Sequence, residues 1–290
     1  VPAMLIRPAS TADLANINTI IQLNEEDTEV QTPDIPSYIQ HELKTGEMYV
    51  AEDSDGELIG FSAVLNRGQV HYLAELFVHP QKQSQKVGQT LLDVTLKGKT
   101  GIKCTVSSED KRALALYIRQ GMQPRWQNFV LRAGREEIKT PLLDVQEQVE
   151  LVKATRRDPR VLSIDSQVSG RHRVQDLEYL EETGYVPLLV SISGETQGYA
   201  YYQIDQSTNR CEIGPIASLN SKLSKDITLS IVNFCLQQTA FKTLSISVPG
   251  PHPALRPLLT AGFKIAYVET FLSSEVFFDP QEYIMLVDIL

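Results

Sequence analysis

Cysteine is scarce in this chain, and what there is lies scattered. Cys104, Cys211 and Cys235 are the only three, with no Cys-x-x-Cys spacing. That excludes a disulfide framework and a thiolate metal site, and reads as reduced core thiols rather than nucleophiles. The five histidines, His41, His71, His79, His172 and His252, form no ligand-spaced cluster with carboxylates, so no metal is expected. Basic residues do not dominate either: the net charge is −9. A sequence-independent grip on nucleic acid needs clustered Lys and Arg, so that class of function is excluded. No stretch approaches about 18 apolar residues, which excludes a spanning helix, and the N-terminus lacks a charged-then-apolar signal pattern. Met4 reads as the start residue, and a cytoplasmic protein is expected.

What remains is enough for packed domains. Hydrophobic residues make up 42% of 290, which supports a core and suits two domains of roughly 130–150 residues. In MLIRPASTADLANINTIIQL (4–23) a short strand precedes a helix. Ser10 or Thr11 can cap it, Asp13 suits its positive end, and Leu14, Ile17 and Ile20 share a face. MYVAEDSDGELIGFSAVLN (48–66) reads as strand, Asp-Gly turn, strand, and HYLAELFVH (71–79) as a mid-sheet strand. A polar loop then leads to a helix near Gly88. IKCTVSS (102–108) is a buried strand, EDKRALALYIRQ (109–120) a helix ending at Gly121, and WQNFVLRA (126–133) a closing strand.

The plan then recurs. ETQGYAYYQID (195–205) mirrors ELIGFSAVLN, RCEIGPIAS (210–218) mirrors AELFVHP, and KTLSISVPG (242–250) mirrors GIKCTVSS. HPALRPLLTAGFKIAYVETFLS (252–273) mirrors the last helix and strand. An offset near 140 residues holds at both ends of the match, which indicates a duplicated domain with its boundary near Gly134–Thr140. The expected domains are 4–135 and 136–290.

Two segments carry chemistry. In VHPQKQSQKVGQTLLD (78–93) a strand ends, a polar loop turns, and a helix begins with unpaired N–H groups, an arrangement suited to a pyrophosphate. In DKRALALYIRQGM (110–122), Ala113 and Tyr117 stand four apart on one helix face. The first segment resembles the coenzyme A loop of the GNAT superfamily of N-acetyltransferases, Arg/Gln-x-x-Gly-x-Gly/Ala, with Gln83 and Gly88 in register and Lys86 in place of the middle glycine. The second is similar to that family's Asn-x-x-Ala-x-x-x-Tyr-x-x-x-Gly-Phe helix, with Asp110, Ala113, Tyr117, Gly121 and Met122 matching in spacing.

The resemblance implies an α/β fold with a mixed sheet in two tandem GNAT-like domains, acetyl-CoA as co-substrate, and transfer to an amine, in a monomer or homodimer. It places the coenzyme against Phe77, Val78, Gln83, Ser84, Gln85, Lys86, Val87, Gly88, Gln89, Thr90, Asp110, Ala113 and Tyr117. The Val78 N–H would meet the acetyl carbonyl, and Tyr117 would protonate the departing thiolate. For the general base, Glu75 is the candidate by position, ahead of His71 and Tyr72; an outward-facing or ion-paired glutamate is the alternative. In the second half LNSKLSKDITLS (219–230) contains no glycine, and Leu258 sits where Tyr117 sits in the first. That half is expected to support or shape the acceptor site. A catalytically silent acyl-CoA-binding or scaffold protein is the competing reading. The segment DSQVSGRHR (165–173), with Asp165, Gly170 and Arg173, resembles the opening of second domains in a tandem GNAT subgroup.

Overall fold

The computed structural model describes residues 4–24, 34–108, 110–138, 145–238, 240–287 and 289. The chain divides into two compact units, Val1–Thr105 with Ile289, and Val106–Asp288 with Leu290. The expected boundary at 135/136 and this division at 105/106 differ for a definite reason, given below.

The first unit opens with strand β1 (Leu5–Pro8), helix α1 (Leu14–Asn24) and helix α2 (Ser37–Thr45). It continues through β2 (Glu47–Glu52), β3 (Leu58–Arg67), β4 (Val70–Val78), helix α3 (Val87–Thr95) and β5 (Ile102–Ser107). Its strands stand in the order β1-β2-β3-β4-β5, antiparallel except for the parallel pair β4–β5. Leu14, Ile17, Ile20 and Ile21 of α1 join Ile39, Val50 and Phe61 in one buried cluster. Asp13 sits before α1 with its carboxylate held by Arg7 at 2.7 Å and by the Ser10 N–H at 2.7 Å, so Ser10 is the capping residue. Helix α2 went unread in the sequence.

In the second unit, α4 (Lys111–Arg119) and β6 (Gln123–Gly134) come first, followed by β7 (Val149–Lys153), α5 (Pro159–Ser169) and α6 (Val174–Glu182). Next are β8 (Val186–Ile192), β9 (Glu195–Asp205), β10 (Arg210–Ser218), α7 (Ser224–Gln237), β11 (Thr243–Pro249), α8 (Leu255–Thr260), β12 (Lys264–Ser273) and β13 (Tyr283–Ile284). The strand order is β12-β6-β11-β10-β9-β8-β7, with β13 on β10. Strand β6 is the reason for the early division. It lies between β11 and β12, antiparallel to both, from Gly134↔Thr243 to Gln123↔Ser273. Its Leu131 and Ala133 belong to the buried cluster of Ile213, Ile227, Leu244 and Ile246.

A buried ionic network fixes the end of the second unit. Arg173 and Asp165 are sequestered from solvent and paired at 2.6 Å. Tyr199 donates to Asp165 at 2.5 Å, and Tyr283 of β13 accepts from Arg173 and from Arg171. Burial first, and the Asp165 charge second, push the Tyr199 phenol well above its ordinary value, so it stays a neutral donor. Among the described residues no helix is long and apolar enough to cross a membrane.

Removing one member of such a pair leaves the other buried and uncompensated. Asp165→Ala should therefore cost about 3–5 kcal/mol in urea unfolding. A loss below about 1 kcal/mol would mean that the pair is not what holds this region.

Candidate functional site

Strand β4 and its neighbour β5 part early. They pair from Val70↔Ile102 to Tyr72↔Cys104, while β4 continues to Val78. The remaining stretch keeps its bond to β3 alone, with an irregularity opposite Ala63/Val64. The His79 N–H reaches the Ile59 carbonyl at 2.9 Å, which makes Gly60–Val78 a non-hydrogen-bonded pair. The N–H and C=O of Val78 consequently turn away from β3, toward the edge that β5 has left. Glu75, Phe77 and Val78 are half-buried there.

The chain leaving β4 makes a run of open donors. The Gln83 N–H reaches Pro80 at 3.4 Å, and the Thr90 N–H reaches Lys86 at 3.0 Å. Between them, none of the N–H groups from Ser84 to Gln89 has a partner among the described residues. Ser84 has φ 65° and Lys86 φ 68°, both left-handed, and Lys86 caps α3. Residues alternating between left- and right-handed conformations turn successive N–H groups inward, forming an anion-binding concavity at a positive helix end. Ser84, Gln85, Lys86 and Gln89 are exposed, Gly88 and Thr90 half-buried, and Val87 buried.

Not every motif position points where the resemblance implied. The Gln83 amide donates to Asn24 Oδ1 at 3.1 Å and to the Val78 carbonyl at 3.4 Å, so this side chain moors the loop to α1 and β4. Asp110, in the second unit, caps α4: its carboxylate accepts from the Arg112 N–H at 2.8 Å and pairs with the Arg112 guanidinium at 2.9 Å. The Arg112 bond holds that carboxyl below its ordinary value. Its charge is thereby compensated on its own helix. Ala113 lies half-buried and Tyr117 buried on α4. His71 Nδ1–H donates to Asn66 Oδ1 at 2.7 Å, and burial lowers the pKa of the ring.

The repeat is visible atom by atom. Helix α4 ends with the Gly121 N–H on Ile118 and the Met122 N–H on Tyr117; α8 ends with the Gly262 N–H on Leu259 and the Phe263 N–H on Leu258. Gly121 has φ 88° and Gly262 φ 115°, so the same left-handed stop is built twice. Leu258 thus occupies the position of Tyr117.

The equivalents of the open groups are closed in the second half. The Leu219 N–H reaches Gln197 at 2.8 Å, repeating the bond from His79 to Ile59 and making Ser218 the counterpart of Val78. Strand β10 parts from β11 after Ile213↔Ile246, but β13 then pairs along Ile216–Ala217. The Ser218 N–H is donated to the Glu282 carbonyl at 2.8 Å. In the following loop the N–H groups of Asn220, Ser221, Lys222, Leu223 and Ser224 are all satisfied, by Ser218, Glu282, Asn220 and Ser221. No feature of the sequence flagged residues 282–284 as the filling of this slot.

Comparison with known proteins bears on the fold. Residues 44–124 match the family model for the acetyltransferase (GNAT) domain. The GNAT fold extends across both halves. A protein from Pyrococcus horikoshii assigned as an acetyltransferase superposes with a TM-score of 0.74 at 17% identity, over 98% of this chain and 95% of that one. A tandem GNAT protein from the clavulanic acid biosynthesis pathway gives 0.65 at 14%, over 94% and 99%. A GCN5-related N-acetyltransferase from Sphaerobacter thermophilus gives 0.62 at 16%, over 98% of both. No curated protein matches the sequence significantly.

Left-handed lysine is strained by about 1–2 kcal/mol, and glycine is not. Allowing for the extra freedom glycine gives the unfolded chain, Lys86→Gly should raise stability by about 0.5–1 kcal/mol in urea unfolding. A variant less stable than the parent would show that a contact of the Lys86 side chain outweighs the strain.

Proposed function

We propose that the protein is an acetyl-CoA-dependent N-acetyltransferase that binds one coenzyme per chain, in the first repeat (4–135), with the second repeat (136–290) non-catalytic. The run of unpartnered N–H groups from Ser84 to Gln89, ahead of α3, carries this reading. Open backbone donors at a positive helix end favour an anion, and a pyrophosphate supplies several acceptors at close range. The reading takes the loop from Gln83 to Thr90 as the pyrophosphate site and the outward-turned Val78 N–H as the donor to the thioester carbonyl, with Phe77 beside it. Asp110 and Ala113 set the helix that presents Tyr117. The counterpart loop in the second repeat has spent its donors on its own chain, and the counterpart of the Val78 N–H is bonded to Glu282.

The chemistry is direct transfer. The amine nitrogen attacks the thioester carbonyl as a C–N bond forms and the C–S bond breaks. Glu75 takes the proton that the amine gives up, and the Tyr117 hydroxyl supplies one to the departing thiolate. Donors already aimed at the carbonyl oxygen stabilise its charge in the transition state without reorganisation.

Calorimetric titration should give one acetyl-CoA per chain, and Gly88→Val, which puts a branched side chain where the phosphates lie, should abolish it. Two equivalent sites would place the chemistry in the wrong half. Tyr117→Phe should keep coenzyme affinity and lower thiol release roughly 10²-fold, the scale of a lost general acid. Full activity in that variant would make Tyr117 a helix anchor. Binding without thiol release over a panel of amines would favour a silent acyl-CoA-binding protein.

A further inference from the structure

Helix α1 ends on Asn24, and the amide of that side chain is engaged at both of its ends. Its nitrogen donates to the Ile20 carbonyl at 2.8 Å and to the Val78 carbonyl at 3.2 Å. Its Oδ1 accepts from the Gln83 amide at 3.1 Å, and the Gln83 amide also reaches the same Val78 carbonyl at 3.4 Å. Two carbonyls face Nδ2 and one N–H faces Oδ1, so the partners fix which way the Asn24 amide points. Asn24, Gln83 and Val78 thus close a ring of hydrogen bonds where α1, β4 and the loop after β4 meet, all three residues half-buried.

This ring holds the Val78–His79 peptide at both of its polar ends. The His79 N–H rests on Ile59 at 2.9 Å, and the Val78 carbonyl spends both lone pairs on the two side-chain amides. On the open edge Val78 therefore offers a ligand its N–H alone, a donor with no free acceptor beside it. The ring also tethers the start of the loop. Gln83 is bound to α1, and Lys82, one residue earlier, pairs with Asp53 of the β2–β3 turn at 2.9 Å. Left-handed Ser84 and Lys86 follow directly. Strained backbone persists only where its surroundings over-determine it, and these two tethers fix the chain as it enters the strained stretch.

We propose that Asn24 is a positioning residue for acetyl transfer, acting through Gln83 and the Val78 carbonyl to aim the loop donors and the Val78 N–H at one ligand. The groups that meet the ligand are backbone donors, and Asn24 sets where they stand. The role in transfer rests on the transferase reading above; the tethering of the loop does not.

Acetyl-CoA binding is measured by calorimetry, and thiol release at saturating acetyl-CoA, in Asn24→Ala, Gln83→Ala and the double variant. Each single change should weaken binding about tenfold and lower turnover by a similar factor, because small displacements of aligned groups are costly. The double variant should be no more than about twofold worse than the weaker single one, since both changes open the same ring. Thr19→Gly, at an exposed position of α1 away from the ring, weakens the helix without opening the ring and should leave both constants as in the parent. Should Asn24→Ala not fold, Asn24→Asp carries the test: it still accepts from Gln83 but donates nothing to Val78, and the same losses are expected. Hydrogen exchange supplies a readout without coenzyme. The His79 amide should exchange about tenfold faster in Asn24→Ala and keep its parental rate in Thr19→Gly. Additive losses, losses matched by Thr19→Gly, or parental constants in the Asn24 variants would overturn the proposal and leave Asn24 as the end of a helix. A parent protein that binds no acetyl-CoA would sink the transferase reading, and His79 exchange alone would then decide the tethering.

Discussion

A β-strand whose neighbour leaves it must still settle the polar groups on its open edge, and the two halves of this chain answer that demand in opposite ways. Strands β4 and β10 both part from their parallel neighbours after a short ladder. Beside β10 the chain supplies its own answer: β13 takes the edge, Glu282 takes the Ser218 N–H, and Tyr283 is tied to Arg173 and Arg171. Along β4 and the loop after it, the corresponding N–H groups are left for something else. The same fold is self-satisfied in one copy and receptive in the other. The difference between the repeats is therefore written in hydrogen bonds more than in side chains.

The strain in the receptive copy fits that view. Two non-glycine residues, Ser84 and Lys86, hold left-handed conformations in one short loop. Each costs about 1–2 kcal/mol. Gln83 moors the loop to Asn24 and Val78, and Asp110 caps α4 with its charge matched by Arg112. Both side chains are engaged within the chain, one in the loop's shape and the other in charge balance.

Local features were legible in the sequence because they depend on few residues. The stop at Gly121, the Asp-Gly turn before β3 and the face of α1 all follow from short-range geometry. The equivalence of Leu258 with Tyr117 was readable for the same reason. Pairing partners were not. Nothing in WQNFVLRA says that β6 lies between β11 and β12, since any apolar-alternating strand satisfies the same local rule. Asn128 looked like an ordinary strand residue until its opposite number proved to be Glu269, far along the chain. Residues 282–284 carried no signal, because their role is to fill a slot that exists only in the folded sheet.

The place of β6 also governs the order in which the molecule can be assembled. Its ladder partners begin at Thr243 and Lys264, so a ribosome that has just finished Gly134 has not yet made either. At roughly 5–20 residues per second, β6 waits several seconds with both edges bare. During that interval the nascent first repeat has its loop from Gln83 to Thr90 but lacks its last strand's bonds, and its long-range closure makes folding slow and exposed to aggregation. The strand that ends one repeat thus gives the chain a biosynthetic clock: its fold is completed only after the second repeat has left the ribosome.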